Sequence, residues 1–253
     1  MPFIRTPETA GVKPAELLAP TGTLRAAINF GNPVLAQHDA ASGEARGVSV
    51  DLARELARRA TLPVALIPYD TARAVFEASG SNAWDIAFLA IDPARATRIR
   101  FTAPYVIIEG GYVVRADSPV HAIGDIDRPG VRIAAADRSA YDLFLTRTLA
   151  HAELVRAPTG EAALQRFLRD RLEALAGVKA ALRTAVEADP QLRLIDGRFM
   201  AIEQAVGVPK RGDDDAAWRY VCAFIEDAKA SGLVADALER SGQRDAVVAP
   251  AAP

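Results

Sequence analysis

Twice along this chain, short apolar runs alternate with amphipathic stretches, and that alternation restricts the fold more than any other feature. The first round begins with "TLRAAINF" at 23–30, closed by the turn formers "GNP". In "SVDLARELARRA" at 49–60, Leu52, Leu56 and Ala60 recur at the spacing of one helix face, with Asp51–Arg54 and Glu55–Arg59 as exposed charge pairs. "PVALI" at 63–67 reads as a strand, "TARAVFEAS" at 71–79 as a helix, and "DIAFLA" at 85–90 as a third strand. Strands joined through helices lie parallel, with the helices covering the sheet faces. After "GYVVRADSP" at 111–119 the alternation restarts with "VRIAAA" and runs through "AELVR", "EAALQRFLRD", "LEALAG", "VKAALRTAVEA" and "LRLI". Two α/β lobes account for this restart better than one continuous sheet. Beyond "MAIEQAVGVPK" at 200–210 the pattern is helical, with Trp218, Val221, Cys222 and Ile225 on one stripe and Gly232 as a helix stop.

A chain of 253 residues, 50% apolar and 25% charged, buries one large core or two modest ones. The formal net charge of -2 supplies no general field for nucleic acid or an acidic membrane, so any bound anion must be held by local donors. Cys222 is the only cysteine, which excludes an intramolecular disulfide. His38, His121 and His151 are scattered, and neither a metal site nor a cofactor is expected. No apolar run approaches the ~20 residues of a membrane-spanning helix. The opening "MPFIRTPETAGVKPAELLAP" lacks the continuous apolar core of an export signal.

"IDPARATRIRFTAPYV" at 91–106 then poses a question, because Arg95, Arg98 and Arg100 follow a strand that reads as buried. Together with "GTLRAAINFGNP", "GVSVDLARELARRATLPVALIPYD", "WDIAFLAIDPARATRIRFTAPYV", "GYVVRADSPV", "PGVRIAAADRSAYDLFL" and "KASGLVADALERSG", this segment resembles the family 3 extracellular solute-binding proteins, the receptors of amino-acid ABC importers. The resemblance spans residues 22–241 and implies the two-lobed type II periplasmic-binding fold. Lobe 1 is then 22–112 with 205–241, and lobe 2 is 113–204. Crossover strands are expected near Gly111–Val114 and Ala201–Val206, and the termini, 1–21 and 242–253, are expected to be flexible. The implied partners are a small carboxylate-bearing solute and ABC permease subunits, with the receptor itself a monomer.

In this family the arginine of a T-x-x-R segment after the third strand receives the ligand carboxylate, and Arg95 in "DPAR" falls on that position. A guanidinium fork suits a carboxylate through two parallel charge-assisted hydrogen bonds. Arg98 and Arg100 are read as surface or interlobe charges. Asn29, Phe30 and Asn32 sit at the carboxyl end of the first strand, where open α/β sheets place ligands, although the same residues could simply end the strand and join the core. Ser139, followed by Ala140 and by Asp142 in a capping-box pattern, heads a helix whose free N–H groups would help hold the anion. Ala90 and Asp92 complete the lobe 1 side, and Gly177 and Lys179 the lobe 2 side.

Two departures from the family pattern bear on selectivity. The segment "LAID" has no hydroxyl residues, and Gly177, Val178 and Lys179 stand where the family carries an aspartate for the ligand ammonium. The remaining candidates for that counter-charge are Asp92, Glu109 and Glu203. Lys179 would favour a second carboxylate, so basic amino acids are expected to bind worse than organic acids or acidic or neutral analogues. Two other functions stay open at this point: a cyclohexadienyl-dehydratase-like enzyme, for which Glu173 is a poor general acid, and a cytoplasmic small-acid sensor. The family is periplasmic; the chain is cytoplasmic if Met1 is its native start.

Overall fold

The computed structural model describes residue 16, residues 18–211 and residues 215–253. The first lobe opens with β1 (Leu24–Asn29), the two-residue strands β2 (Gln37–His38) and β3 (Ala45–Arg46), and α1 (Val48–Ala60). It continues through β4 (Val64–Tyr69), α2 (Ala72–Ala78), β5 (Ile86–Ala90), the single turn α3 (Pro93–Ala96) and β6 (Ile99–Phe101). The long β7 (Val106–Arg115) leads into the second lobe, built from β8 (Arg132–Ala136), α4 (Ala140–Thr148), β9 (Glu153–Ala157), α5 (Gly160–Arg169), β10 (Ala174–Val178), α6 (Lys179–Ala188) and β11 (Leu192–Leu194). The equally long β12 (Met200–Pro209) returns, followed by α7 (Ala216–Ala230), α8 (Leu233–Arg240) and β13 (Val247–Val248).

Apart from the β2–β3 pair, the strands form one curled sheet that runs through both lobes in the order β4-β1-β5-β12-β7-β10-β8-β9, with β6 added on β12 and β11 and β13 on β7. β1 lies parallel between β4 and β5, and β8 lies parallel between β9 and β10, so the two lobes repeat one strand order. β12 runs antiparallel to β5, β7 runs antiparallel to β10, and the two long strands pair with each other over Val106–Gly110 and Met200–Gln204. Gly111, Tyr112 and Val113, expected at a crossover, already pair with β10.

Alternate residues on each central strand feed opposite faces, as the pleat requires. Ala26 and Ile28 join the core under α1 and α7, while Ala27 packs with Val75, Trp84 and Ile99 on the other face. In the second lobe Ile133 and Ala135 face Leu145, and Ala134 faces Phe167 and Leu182. The stripe Leu52, Leu56 and Ala60 is buried as its spacing requires. Of its expected charge pairs, Glu55–Arg59 is present, with Arg58 joining it, but Asp51 reaches Arg240 on α8 at 2.9 Å instead of Arg54. On α7 the buried stripe is Val221, Phe224, Ile225 and Ala228, with Cys222 and Trp218 at its edge; Trp218 Nε1 donates to the Phe101 carbonyl at 2.8 Å.

The carboxyl-terminal tail, expected to be flexible, is structured. Val247 and Val248 add a strand to β7 opposite Ile107 and Val106, and the Ala249 N–H donates to the Tyr105 carbonyl at 3.1 Å. Lys229 Nζ ties Pro250 to Pro104 through both carbonyls. The sequence pattern missed this because "AVVA" is too short to show a period, and its strand exists only through β7. At the other end Leu18 and Ala19 are buried in the first lobe's core, whereas residues 1–15 and 17 lie outside the described residues.

Candidate functional site

The carboxyl ends of all six parallel strands converge on an open cleft of about 630 Å³ between the lobes. This is where α/β sheets expose backbone groups and helix starts. From the first lobe, Asn29, Gly31 and Asn32 follow β1, Asp70 and Thr71 follow β4, and Leu89 and Ala90 end β5. From the second, Asp137, Ser139, Ala140 and Tyr141 follow β8, Thr159 and Gly160 follow β9, and Val178 ends β10. Ile202 and Gln204 of β12 line the hinge side. Gly31 is fixed by close approach, since a Cβ there would stand 2.3 Å from the Asp70 carbonyl oxygen.

Arg95 reaches this cleft while only 2% exposed. Its Nη1 donates to the Ala90 carbonyl and its Nη2 crosses to the Arg138 carbonyl in the second lobe, both at 3.0 Å. Among the described residues no carboxylate lies within ion-pair distance of it. Burial pushes its pKa down to about 10, with the Asp92 charge opposing the shift. A guanidinium so placed is a desolvated cation with N–H groups to spare, which is the physical requirement for holding an anion.

Three of the helices that begin at the cleft are capped by a hydroxyl. Thr71 Oγ1 accepts from the Ala74 N–H, Ser139 Oγ from Asp142, and Thr159 Oγ1 from Ala162, each at 3.1 Å. The capping box at Ser139 is displaced by one residue, because Asp142 Oδ2 accepts from the Arg138 N–H at 2.8 Å instead of from Ser139. Arg138, at φ 53°, turns its carbonyl towards Arg95. Charges also meet across the mouth: Arg73 and Glu77 on α2 pair with Asp137 and Arg138.

Asn29, Asn32, Ala90, Arg95, Ser139 and Ala140 are thus brought together, and four other predicted residues are not. Phe30 alternates to the far side of its strand end and stacks on His38 with ring centroids 3.9 Å apart. Asp92 caps α3, with Oδ1 accepting from Ala94, and its Oδ2 pairs with Arg147 at 2.9 Å. Gly177 faces α6, where a Cβ would meet Leu182 at 3.0 Å, so the strand's alternation turns Val178 into the cleft. Lys179 lays its stem over Gly111 and pairs with Glu109 at 3.0 Å, away from the cleft. Neither of the other two proposed counter-charges is available either: Glu109 is shared by Lys179 and Arg198, and Glu203 is exposed outside the cleft. Sequence reasoning missed Asp70, Thr71, Thr159, Gly160 and Gln204. The signal for Thr71 and Thr159 was present, since each is a hydroxyl one or two residues past a strand and just before a helix.

A sequence profile of the bacterial extracellular solute-binding proteins, family 3, matches residues 24–243. The chain belongs to that family. Its fold is that of an ArgBP mutant from T. maritima, at TM-score 0.76 and 21% identity over 91% of this chain and all of that one. It is equally that of a binding component of an ABC transporter from Wolinella succinogenes complexed with lysine, at 0.72 and 22% over 87% and 95%. A third likeness is to the ancestral amino-acid-binding protein AncCDT-1, described as a precursor of cyclohexadienyl dehydratase, at 0.74 and 19% over 90% and 99%. Comparison with curated protein sequences finds no match. At these identities the structural likeness is one of fold, the two-lobed type II periplasmic-binding architecture. Among the described residues no helix is long and apolar enough to cross a membrane, and no His, Cys, Asp and Glu side chains cluster to hold a metal.

Proposed function

We propose that this protein is the solute-binding receptor of an ABC importer, taking a small carboxylate-bearing solute into the cleft and closing on it. The observation that carries this reading is Arg95, a buried guanidinium facing the cleft without a carboxylate partner among the described residues. The ligand carboxylate supplies the missing counter-charge, received by Arg95 and by the N–H groups at the start of α4 beside Ser139 and Ala140. Asn29, Asn32 and Ala90 form the opposing wall. The lobes are 22–112 with 205–241 and 113–204, the receptor is a monomer, and its protein partners are the permease subunits of the importer.

Lys179 no longer argues against a cationic group, because Glu109 holds it. Asp70 lines the cleft and, among the described residues, has no ion-pair partner. An amino acid, with its carboxylate on Arg95 and its amino or basic group towards Asp70, therefore fits better than a dicarboxylate, in keeping with the lysine named for a fold relative. A dehydratase needs an acid beside the substrate; Glu173 cannot be that acid, since it stands at the opposite end of β10, bound by Arg132, and the acids that line the cleft are Asp70 and Asp137.

A thermal-shift screen of the proteinogenic amino acids, short dicarboxylates and carboxylated rings tests the proposal. A true ligand at about 100 times its dissociation constant stabilises the protein by ~2.7 kcal/mol. A shift with at least one amino acid, abolished in Arg95→Ala, supports the receptor. No shift with any of them overturns it, and turnover of a ring acid would transfer the site to the enzyme reading.

A further inference from the structure

Asp92 is a carboxylate with a side chain only 3% exposed, contributed by the first lobe one turn before Arg95. Its ion-pair partner comes from the other lobe: Arg147, near the end of α4, whose own side chain is 45% exposed. The same helix begins at the cleft with Ser139 and Ala140. Of the two guanidinium groups near this buried carboxylate, only Arg147 pairs with it, at 2.9 Å. Arg95 makes its two bonds to neutral carbonyls.

A buried charge takes whatever counter-charge is within reach, since leaving it unpaired is costly. Were Arg147 absent, the cation in Asp92's own turn would be Arg95, three residues on and already under the influence of the Asp92 charge. An Asp92–Arg95 pair would then compete with any anion from the cleft. We infer that Arg147 is a positioning residue for ligand binding: by holding Asp92, it keeps the Arg95 guanidinium free for an anion, and does so only when the lobes are together. Approach of α4 thus prepares the anion site, and binding is coupled to closure through an exchange of ion-pair partners as well as through contacts of the ligand with both lobes. This inference rests on the receptor reading above for the identity of the anion, but the exchange itself is a property of Asp92, Arg95 and Arg147.

The test is a double-mutant cycle with Arg147→Gln, Asp92→Asn and the pair combined, titrated calorimetrically with L-arginine, L-glutamine and L-glutamate. Asn retains the cap on α3, so Asp92→Asn removes the charge without unravelling that turn. Arg147→Gln should weaken binding about tenfold or more, and the double variant should recover to within about threefold of wild type, a non-additive outcome diagnostic of coupled residues. Binding by Arg147→Gln equal to wild type, or a double variant as weak as Arg147→Gln, overturns the inference. If none of the three probes binds the wild type, it is the choice of solute that fails, and a crystal structure of ligand-free Arg147→Gln decides the exchange. Asp92 Oδ within 4 Å of an Arg95 nitrogen is expected, in keeping with a salt-bridge distance, and an Asp92 carboxylate left in place contradicts it.

Discussion

Arg95 is held by two carbonyls and by nothing negative among the described residues, and the proposed receptor rests on this one side chain. The arginine was legible in the sequence only through the family resemblance, which sets Arg95 of "DPAR" on the T-x-x-R position; by itself an arginine before a helical turn reads as a solvated surface group. Its surroundings were less so. Gly177 and Val178 are neighbours in sequence but face opposite sides of β10, and no pattern in "LEALAG" tells which is turned to the cleft. Lys179 and Asp92 were read as ligand contacts because they carry charge at the right place in the chain. Both instead satisfy partners far away in sequence, Glu109 and Arg147, which only the tertiary structure supplies. Cys222 illustrates the same dependence. Half-burial on α7 pushes its thiol pKa up to about 11, with the Glu226 charge adding to the shift. The thiolate is the reactive form, so at pH 7.5 iodoacetamide should label Cys222 far more slowly in the native protein than in urea, and equal rates would contradict its placement.

At the level of elements, the strand-to-helix junctions were readable to within a residue or two, because turn formers and hydroxyl caps punctuate them. What could not be read was which elements pair. The α1 charges show the difference between local and tertiary pairing. Glu55, served by Arg58 and Arg59 of its own helix, has its pKa lowered from 4.5 to about 2, chiefly through the Arg58 hydrogen bond. A lowered carboxylate pKa contributes stability that is present above 4.5 and lost as the pH falls towards 2. Glu55→Gln should therefore cost at most about 1 kcal/mol at pH 7, given the exposure of both arginines, and nothing below pH 2. A constant difference across that range would contradict the pairing. The β13 tail is a larger effect. Truncation after Arg244 removes the strand on β7, the Ala249 bond to Tyr105 and the Lys229 tie to Pro250. Loss of a few such bonds costs on the order of 2 kcal/mol, read as a lower urea midpoint; an unchanged midpoint would show the tail to be dispensable.

For the molecule as a whole, the repeated strand order makes the site. Two halves of one sheet, each with the same parallel strand order and joined through β7 and β12, present their carboxyl ends to each other, so residues from both halves of the chain meet in one cleft. The alternation of elements foretold two lobes, but the cross-lobe pairs of Arg73 with Asp137 and Arg147 with Asp92 were invisible, since neither spacing nor composition marks them. A hinge about β7 and β12 would open that cleft, and small-angle scattering should show a more compact particle when an amino acid saturates the protein. An unchanged profile with ligand bound would contradict closure. The central claim, that a ligand carboxylate meets Arg95, is tested most directly by calorimetric titration of the best-binding amino acid and its primary amide against wild type and Arg95→Ala. The account predicts that the amide loses about 2 to 5 kcal/mol on the wild type, and that Arg95→Ala binds acid and amide with equal, weak affinity. If Arg95→Ala still prefers the acid by the wild-type margin, the carboxylate is held elsewhere and this account of the site is wrong.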